Sequence, residues 1–328
     1  MEILITEYNE INNDTINDTI NNTTKVAKIG KKPRKKVPDY LLVETTSVSN
    51  TNTNTNTNTV IDSFITSVIN KVTCGDSALI LKSMPSCSID LTVTSPPYDD
   101  IRDYNGYTFL EENIIKELFR VTKSGGVVVW VVGDSTIKGS ESGSSFRQAL
   151  KFMEHGFKLH DTMIYEKNTS SFPASKKSTR YTQIFEYMFV FCKDKIKTTN
   201  LISDKPNKWA GHTNWGKNTN RLKNGELQET SDIKPVPEFS PRNNIWKYNV
   251  GKGFNSKDKE SHEHPAIFPE QLAEDHILSW SNEGDTVLDP FSGSGTTLKM
   301  AKKNGRNYVG IDISDEYCKL AERILLKY

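Results

Sequence analysis

Two stretches of the chain hold residue types that could do chemistry, one on a flat, amino-bearing ring and one by holding a ligand. In Thr94-Ser95-Pro96-Pro97-Tyr98 a proline pair locks the backbone and removes two N–H donors, leaving one hydroxyl, outward-facing carbonyls and one aromatic ring. The hydroxyl and a carbonyl could accept the two hydrogens of an amino group while the ring stacks on its plane. The same residues also suit a turn that ends a strand over a buried tyrosine, and the pentapeptide alone does not separate the two. The second stretch, Asp289-Pro290-Phe291-Ser292-Gly293-Ser294-Gly295-Thr296-Thr297, is a glycine-rich turn. Such a turn lets a ligand approach the backbone and meet the unpaired N–H groups of a helix start.

Three ligand classes compete for this turn. A triphosphate loop closes with Gly-Lys-Ser/Thr, whereas Gly295 is followed by Thr296-Thr297. A dinucleotide fingerprint carries a third glycine three places after the second, where this chain has Leu298. An adenosine with an amino-acid tail instead calls for a carboxylate at the next strand end, to bind ribose hydroxyls. Asp312 stands 23 positions after Asp289, near the spacing of about twenty used for ribose recognition. An acid there also serves as a simple helix-start charge.

The elements that must position these groups alternate between strand and helix. Residues 89–93 alternate apolar and polar as a strand entering the first motif, and 285–289 form a strand entering the second. Helical spacing runs over 60–72, 111–122, 145–155 and from Pro269 to Trp280, with Phe146, Ala149, Leu150 and Met153 read as the inward face of the third. Strands are expected at 127–132, 157–165, 184–192 and 307–313, with helices before and after the last. The pattern is that of an α/β protein with a mainly parallel, doubly wound sheet.

Composition bounds the class. The chain has 328 residues and a formal net charge of +1, so as a whole it is not a polycation. Between Lys193 and Lys259, however, fourteen Lys and Arg face seven Asp and Glu, an excess of +7. That excess falls in the weakly periodic region 169–255 with Trp209, Trp215, Trp246 and Tyr248, a mixture suited either to nucleic acid or to a small core of its own. Residues 1–59 are rich in Asn and Thr and too poor in apolar groups to offset ordering entropy, so they read as a disordered tail before a folded region at 60–328. The tail carries Lys31-Lys32-Pro33-Arg34-Lys35-Lys36, which suits phosphate contact, nuclear import or mere solvation. Four scattered cysteines argue for free thiols in a reducing compartment, and the longest apolar run, Val127 to Val132, is far short of a membrane span. His262 and His264 lack further residues at metal-ligand spacing, so no metal is expected. The expected setting is intracellular and cytoplasmic, with a nuclear or viral one left open by the basic cluster.

Taken together and in this order, the two motifs resemble those of the S-adenosylmethionine-dependent DNA amino-methyltransferases, and among them the permuted β group found in restriction-modification systems. Thr94 to Tyr98 is similar to the family's catalytic motif and Asp289 to Thr297 to its cofactor loop, with the long variable insert between them. His264-Pro265-Ala266-Ile267-Phe268-Pro269 resembles the segment that closes over the methionine end of the cofactor, and Gly75-Asp76-Ser77 the turn near its adenine. The resemblance implies a Rossmann-like methyltransferase sheet with a circularly permuted motif order and an inserted DNA-recognition region at 169–255. It implies S-adenosylmethionine as cofactor and double-stranded DNA as partner, and it leaves a cognate restriction endonuclease open as a companion. Ser95, Pro96, Pro97 and Tyr98 would then be catalytic, and Asp289, Pro290, Phe291, Gly293, Gly295, Thr296, Asp312, Asp76, His264 and Pro265 would hold the cofactor. Serine at position 95 favours cytosine-N4 as the methylated atom, with adenine-N6 as the alternative within the family. A catalytically silent DNA-binding protein and a nucleotide-dependent oxidoreductase are the alternatives outside it.

Overall fold

The computed structural model of the protein describes residues 67–97, 111–170, 173–213, 219–229, 234–251 and 253–328. Tyr98, Trp215, the Asn/Thr-rich stretch 1–59 and the start of the 60–72 helix therefore lie outside the described residues. Eight strands form one sheet: β1 (Lys71–Cys74), β2 (Ile89–Thr94), β3 (Thr122–Val132), β4 (Lys158–Lys167), β5 (Phe185–Cys192), β6 (Ile245–Tyr248), β7 (Thr286–Asp289) and β8 (Asn307–Asp312). Their order is β1-β8-β7-β2-β3-β5-β4-β6. Neighbours are parallel except that β5 runs antiparallel to both β3 and β4.

Helices cover both faces. On one, α1 (Ser77–Ser83), α2 (Glu111–Val121) and α3 (Ser144–Glu154) bury Leu81, Ile115, Leu118 and Phe152 against Val128, Trp130, Phe191 and Ile311. On the other, α4 (Glu270–Trp280) and α5 (Thr296–Lys303) bury Leu272, Ile277 and Leu298 against Val93, Val129 and Val190, joined by Leu325 of α6 (Asp315–Leu325). The continuous run Val127 to Val132 follows from this double cover, because odd and even positions each meet an apolar layer.

The inward face of α3 differs from the sequence expectation. Ala149 and Phe152 are buried, while Phe146, Leu150 and Met153 are each about half exposed. Polar contacts rotate the helix. Gln148 is drawn inward to accept a hydrogen bond from Trp130 Nε1 at 2.8 Å, and Ser145 donates through N and Oγ to Asp134 at 2.9 and 2.5 Å. Burying the Trp130 indole demands such a partner, and that demand outweighs the apolar spacing.

The aromatic residues of the insert divide. Trp246 and Tyr248 belong to the core, and Trp209 is exposed. Tyr248 donates to Asp275 Oδ2 at 2.7 Å, and Arg242 reaches the same oxygen at 2.6 Å while also pairing with Asp204. Part of the positive charge of the insert is thus neutralised within the fold. On α4, His276 is fully buried between Trp280 Nε1 and Met188 Sδ, and burial drives its pKa down to about 3, so it is neutral.

Candidate active site

The ends of β2, β7, β8 and β1 meet at one edge of the sheet, the carboxyl edge of its parallel strands, where α/β proteins place their ligands. β2 and β7 are hydrogen-bonded neighbours, so the two motifs, far apart in the chain, become adjacent. One buried contact joins them: Thr94 Oγ1 donates to Asp289 Oδ1 at 2.7 Å, and Phe291 N donates to the same oxygen at 3.1 Å. Thr297 Oγ1 adds a bond to the Val93 carbonyl at 3.1 Å, tying the start of α5 to the strand that enters the proline pair. Ser95 and Pro97 are partly exposed directly beyond this joint, and Pro96 is buried.

The turn after β7 is held from the opposite side by β8. Asp312 accepts from Gly293 N at 2.8 Å through one carboxylate oxygen and from Ser314 N at 2.9 Å through the other. Ser292 N donates to the Ile311 carbonyl at 2.9 Å, and Gly75 N to the Asp312 carbonyl at 2.8 Å. Ser77 Oγ donates to the Pro290 carbonyl at 2.6 Å. Asp76 caps α1 through Leu79 N at 3.0 Å. The residues expected around an adenosine are therefore gathered about one turn.

Glycine is required twice here. Gly293 has φ +48°, and a Cβ on it would fall 2.9 Å from His264 Nε2. Gly295 has φ +81°, and its Cβ would meet that of Ala321 at 3.0 Å. His264 lies over the turn, edge-on to Tyr317 at 4.4 Å between ring centroids, with Nδ1 accepting from Ala266 N at 3.2 Å; Pro265 next to it is exposed. Phe291 packs edge-on against Trp130 at 6.2 Å, and Thr296 opens α5.

Asp289 is buried and Asp312 half-buried, and desolvation raises both pKa values. That of Asp289 is pushed up to about 6 in spite of the bonds from Thr94 and Phe291 N, and that of Asp312 is raised as well. Ser292 Oγ is buried in the turn with no hydrogen-bond partner, a polar atom left over for a ligand. The turn, the orphaned hydroxyl and the strand-end acid fit a cofactor with an adenosine body and a polar tail.

Sequence reasoning missed three parts of this arrangement. Thr94 and Thr297 were visible in the motifs but not as the fasteners between them. Lys299 is only 2% exposed and bonds Asp258 at 2.6 Å and Glu270 at 2.7 Å, clamping the segment that carries His264 onto α5. Burial pulls its pKa down, but the bonds to Asp258 and Glu270 outweigh this and hold it high. The available signal was a lysine between Leu298 and Met300 on an otherwise apolar helix face.

A family model described as DNA methylase matches residues 89–323. The orphan methyltransferase M.BamHII of Bacillus amyloliquefaciens is 58% identical over 247 residues, covering 75% of this chain and 92% of that protein. The type II methyltransferase M.ScaI of Streptomyces caespitosus is 30% identical over 261 residues, covering 75% and 78%. Among solved structures, a putative DNA modification methylase of Thermus thermophilus complexed with S-adenosyl-L-methionine aligns with a TM-score of 0.52 at 25% identity, over 78% of this chain and 95% of that one. The PvuII DNA methyltransferase (cytosine-N4-specific) aligns with a TM-score of 0.54 at 21% identity, over 76% and 84%, a likeness of fold.

Proposed function

The chain belongs to the DNA methylase family of N6 and N4 amino-methyltransferases, and on that premise we propose that it methylates the exocyclic N4 of cytosine in double-stranded DNA. Its cofactor is S-adenosylmethionine, which when bound supplies a methyl group on a cationic sulfur. The observation that carries the site assignment is the Thr94–Asp289 hydrogen bond, which sets Ser95, Pro96 and Pro97 beside the glycine turn.

An exocyclic amine is a weak nucleophile because its lone pair is delocalised into the ring. Ser95 Oγ and the Pro96 carbonyl accept its two hydrogens, favour a more tetrahedral nitrogen and free the lone pair for in-line attack. Tyr98, outside the described residues, stacks on the ring. The base is flipped from the duplex to reach them, at a cost of a few kcal/mol. Gly293 and Gly295, without Cβ atoms, let the cofactor approach the turn at the start of α5, where Thr296 stands, and Asp312 takes its ribose hydroxyls. Asp76 and Phe291 flank the adenine, Asp289 and Pro290 shape the turn, and His264 and Pro265 close the tail side.

Serine at position 95 supports cytosine-N4 over adenine-N6, the alternative within the family. The insert at 169–255 is the proposed recognition region. Among the described residues no helix is long and apolar enough to cross a membrane. The bacterial relatives lend no support to a nuclear role for the basic cluster. The type II relatives argue for a companion endonuclease and the orphan relative against one. The test is to supply DNA and isotope-labelled S-adenosylmethionine, digest to nucleosides and identify the labelled product by mass spectrometry. N4-methylcytosine supports the proposal, N6-methyladenine replaces the base assignment, and absence of label overturns the catalytic reading.

A further inference from the structure

The connection between β4 and β5 does not lie where the rest of the basic insert begins. Register fixes its place. Thr94 pairs with Trp130 and Val132 with Tyr187, so the start of β5 stands at the edge where β2 delivers Ser95. Glu166 pairs with Phe185, which puts the end of β4 at that edge too. The chain after Cys192 leaves instead from the opposite edge, beside Val127. The connection 168–184 therefore rises from the catalytic edge, whereas the later part of the insert leaves at the opposite edge and returns only at the end of β6, where Tyr248 pairs with Lys167. β5 is two strands from β2, about 10 Å, or about three nucleotides of a duplex strand.

From Pro173 to Ile184 this connection is built as a ledge. Ala174 N donates to Thr182 Oγ1 at 2.7 Å, and Ser178 N to the Ser175 carbonyl at 2.9 Å. Arg180 donates to the Gly139 carbonyl at 2.6 Å and lies 3.6 Å from Glu141, fastening the ledge to the hairpin that follows β3. Between Pro173 and Ile184 the sequence has three cations, Lys176, Lys177 and Arg180, and no acid. Lys176 and Lys177 are exposed and make no ion pair among the described residues. Tyr181, beside them, has its whole surface exposed. An aromatic ring presented bare on a braced, wholly basic ledge suits stacking on a base with phosphates at its flanks.

We propose that this ledge grips the DNA strand that carries the target base: Tyr181 stacks on a nucleotide near the target, Lys176 and Lys177 take phosphates, and Arg180 is the positioning residue that braces them. The inference rests on the DNA-methyltransferase reading and names its contact. Charge complementarity selects a polyanion, and proximity to Ser95 selects the substrate strand.

The experiment compares wild type with Tyr181→Ala, Tyr181→Trp and Lys176→Ala/Lys177→Ala. It uses bacterial chromosomal DNA for methyl transfer and a fluorescein-labelled mixed-sequence duplex for anisotropy. Tyr181→Ala is expected to raise KM for DNA about tenfold or more with cofactor affinity unchanged, and Tyr181→Trp to restore it. The double lysine variant is expected to lower the salt slope of duplex affinity by about two. Unchanged KM in Tyr181→Ala, Tyr181→Trp as poor as Ala, or an unchanged salt slope would each overturn the proposal. A wild type that binds duplex through Lys176 and Lys177 yet transfers no methyl group would sink the catalytic reading alone.

Discussion

Asp289→Asn is the substitution whose effect follows most directly from the geometry. The asparagine keeps an oxygen for Thr94 Oγ1 and Phe291 N, so the joint between the motifs persists while the charge is lost. In the folded protein burial raises the carboxyl from 3.8 to about 6. A group with a raised pKa binds more protons folded than unfolded. Its contribution to stability is full below the unfolded pKa and is lost as pH rises through about 6. The loss tends to about 3 kcal/mol at neutral pH, at 1.36 kcal/mol for each unit. The asparagine variant does not suffer it, so its stability relative to wild type should rise by about 1 kcal/mol between pH 5 and pH 7.5. Urea denaturation of both proteins across that range measures the difference. A gap that stays constant, or narrows as pH rises, would show that Asp289 is not held as a buried, destabilised carboxylate. Asp289→Ala, which also removes the acceptor, should abolish methyl transfer.

Other substitutions test the supports around the turn. Gly293→Ala places a Cβ 2.9 Å from His264 Nε2 at φ +48°, and calorimetry should show cofactor affinity reduced at least about tenfold; wild-type affinity would show that the turn is not the cofactor cradle. Lys299→Met leaves Asp258 and Glu270 facing each other without their cation, and should cost about 3–5 kcal/mol in urea denaturation. Gln148→Leu strands the Trp130 indole N–H in the core, which should cost about 1–3 kcal/mol; a neutral result would remove the reason given for the orientation of α3.

Much of this architecture was legible because its signals are local. Strand β2 alternates up to its proline stop, and the β7-turn-α5-β8 run carries glycine and an acid at distances set by backbone geometry. The resemblance to amino-methyltransferases rests on those same residues. What resisted reading depends on partners distant in the chain. The rotation of α3 is decided by Trp130 and Asp134, neither of which belongs to the helix. The fate of Trp246 and Tyr248 depends on pairing with β4, where Tyr165 and Lys167 are their strand partners. Composition marked the insert as basic, but only strand register separates the part at the catalytic edge from the part that leaves at the other. The burial of Lys299 depends on Asp258 and Glu270, both distant from it in the chain.

The central claim is that Ser95 acts on the substrate amine while the separate turn after β7 holds the cofactor. The most direct measurement is methyl transfer from labelled S-adenosylmethionine to DNA by wild type and Ser95→Ala, with cofactor affinity determined for both proteins. The account predicts labelled DNA with wild type, and with Ser95→Ala cofactor affinity within about twofold but no labelled DNA, since the serine is asked for transition-state contacts alone. Wild-type rates from Ser95→Ala would contradict it.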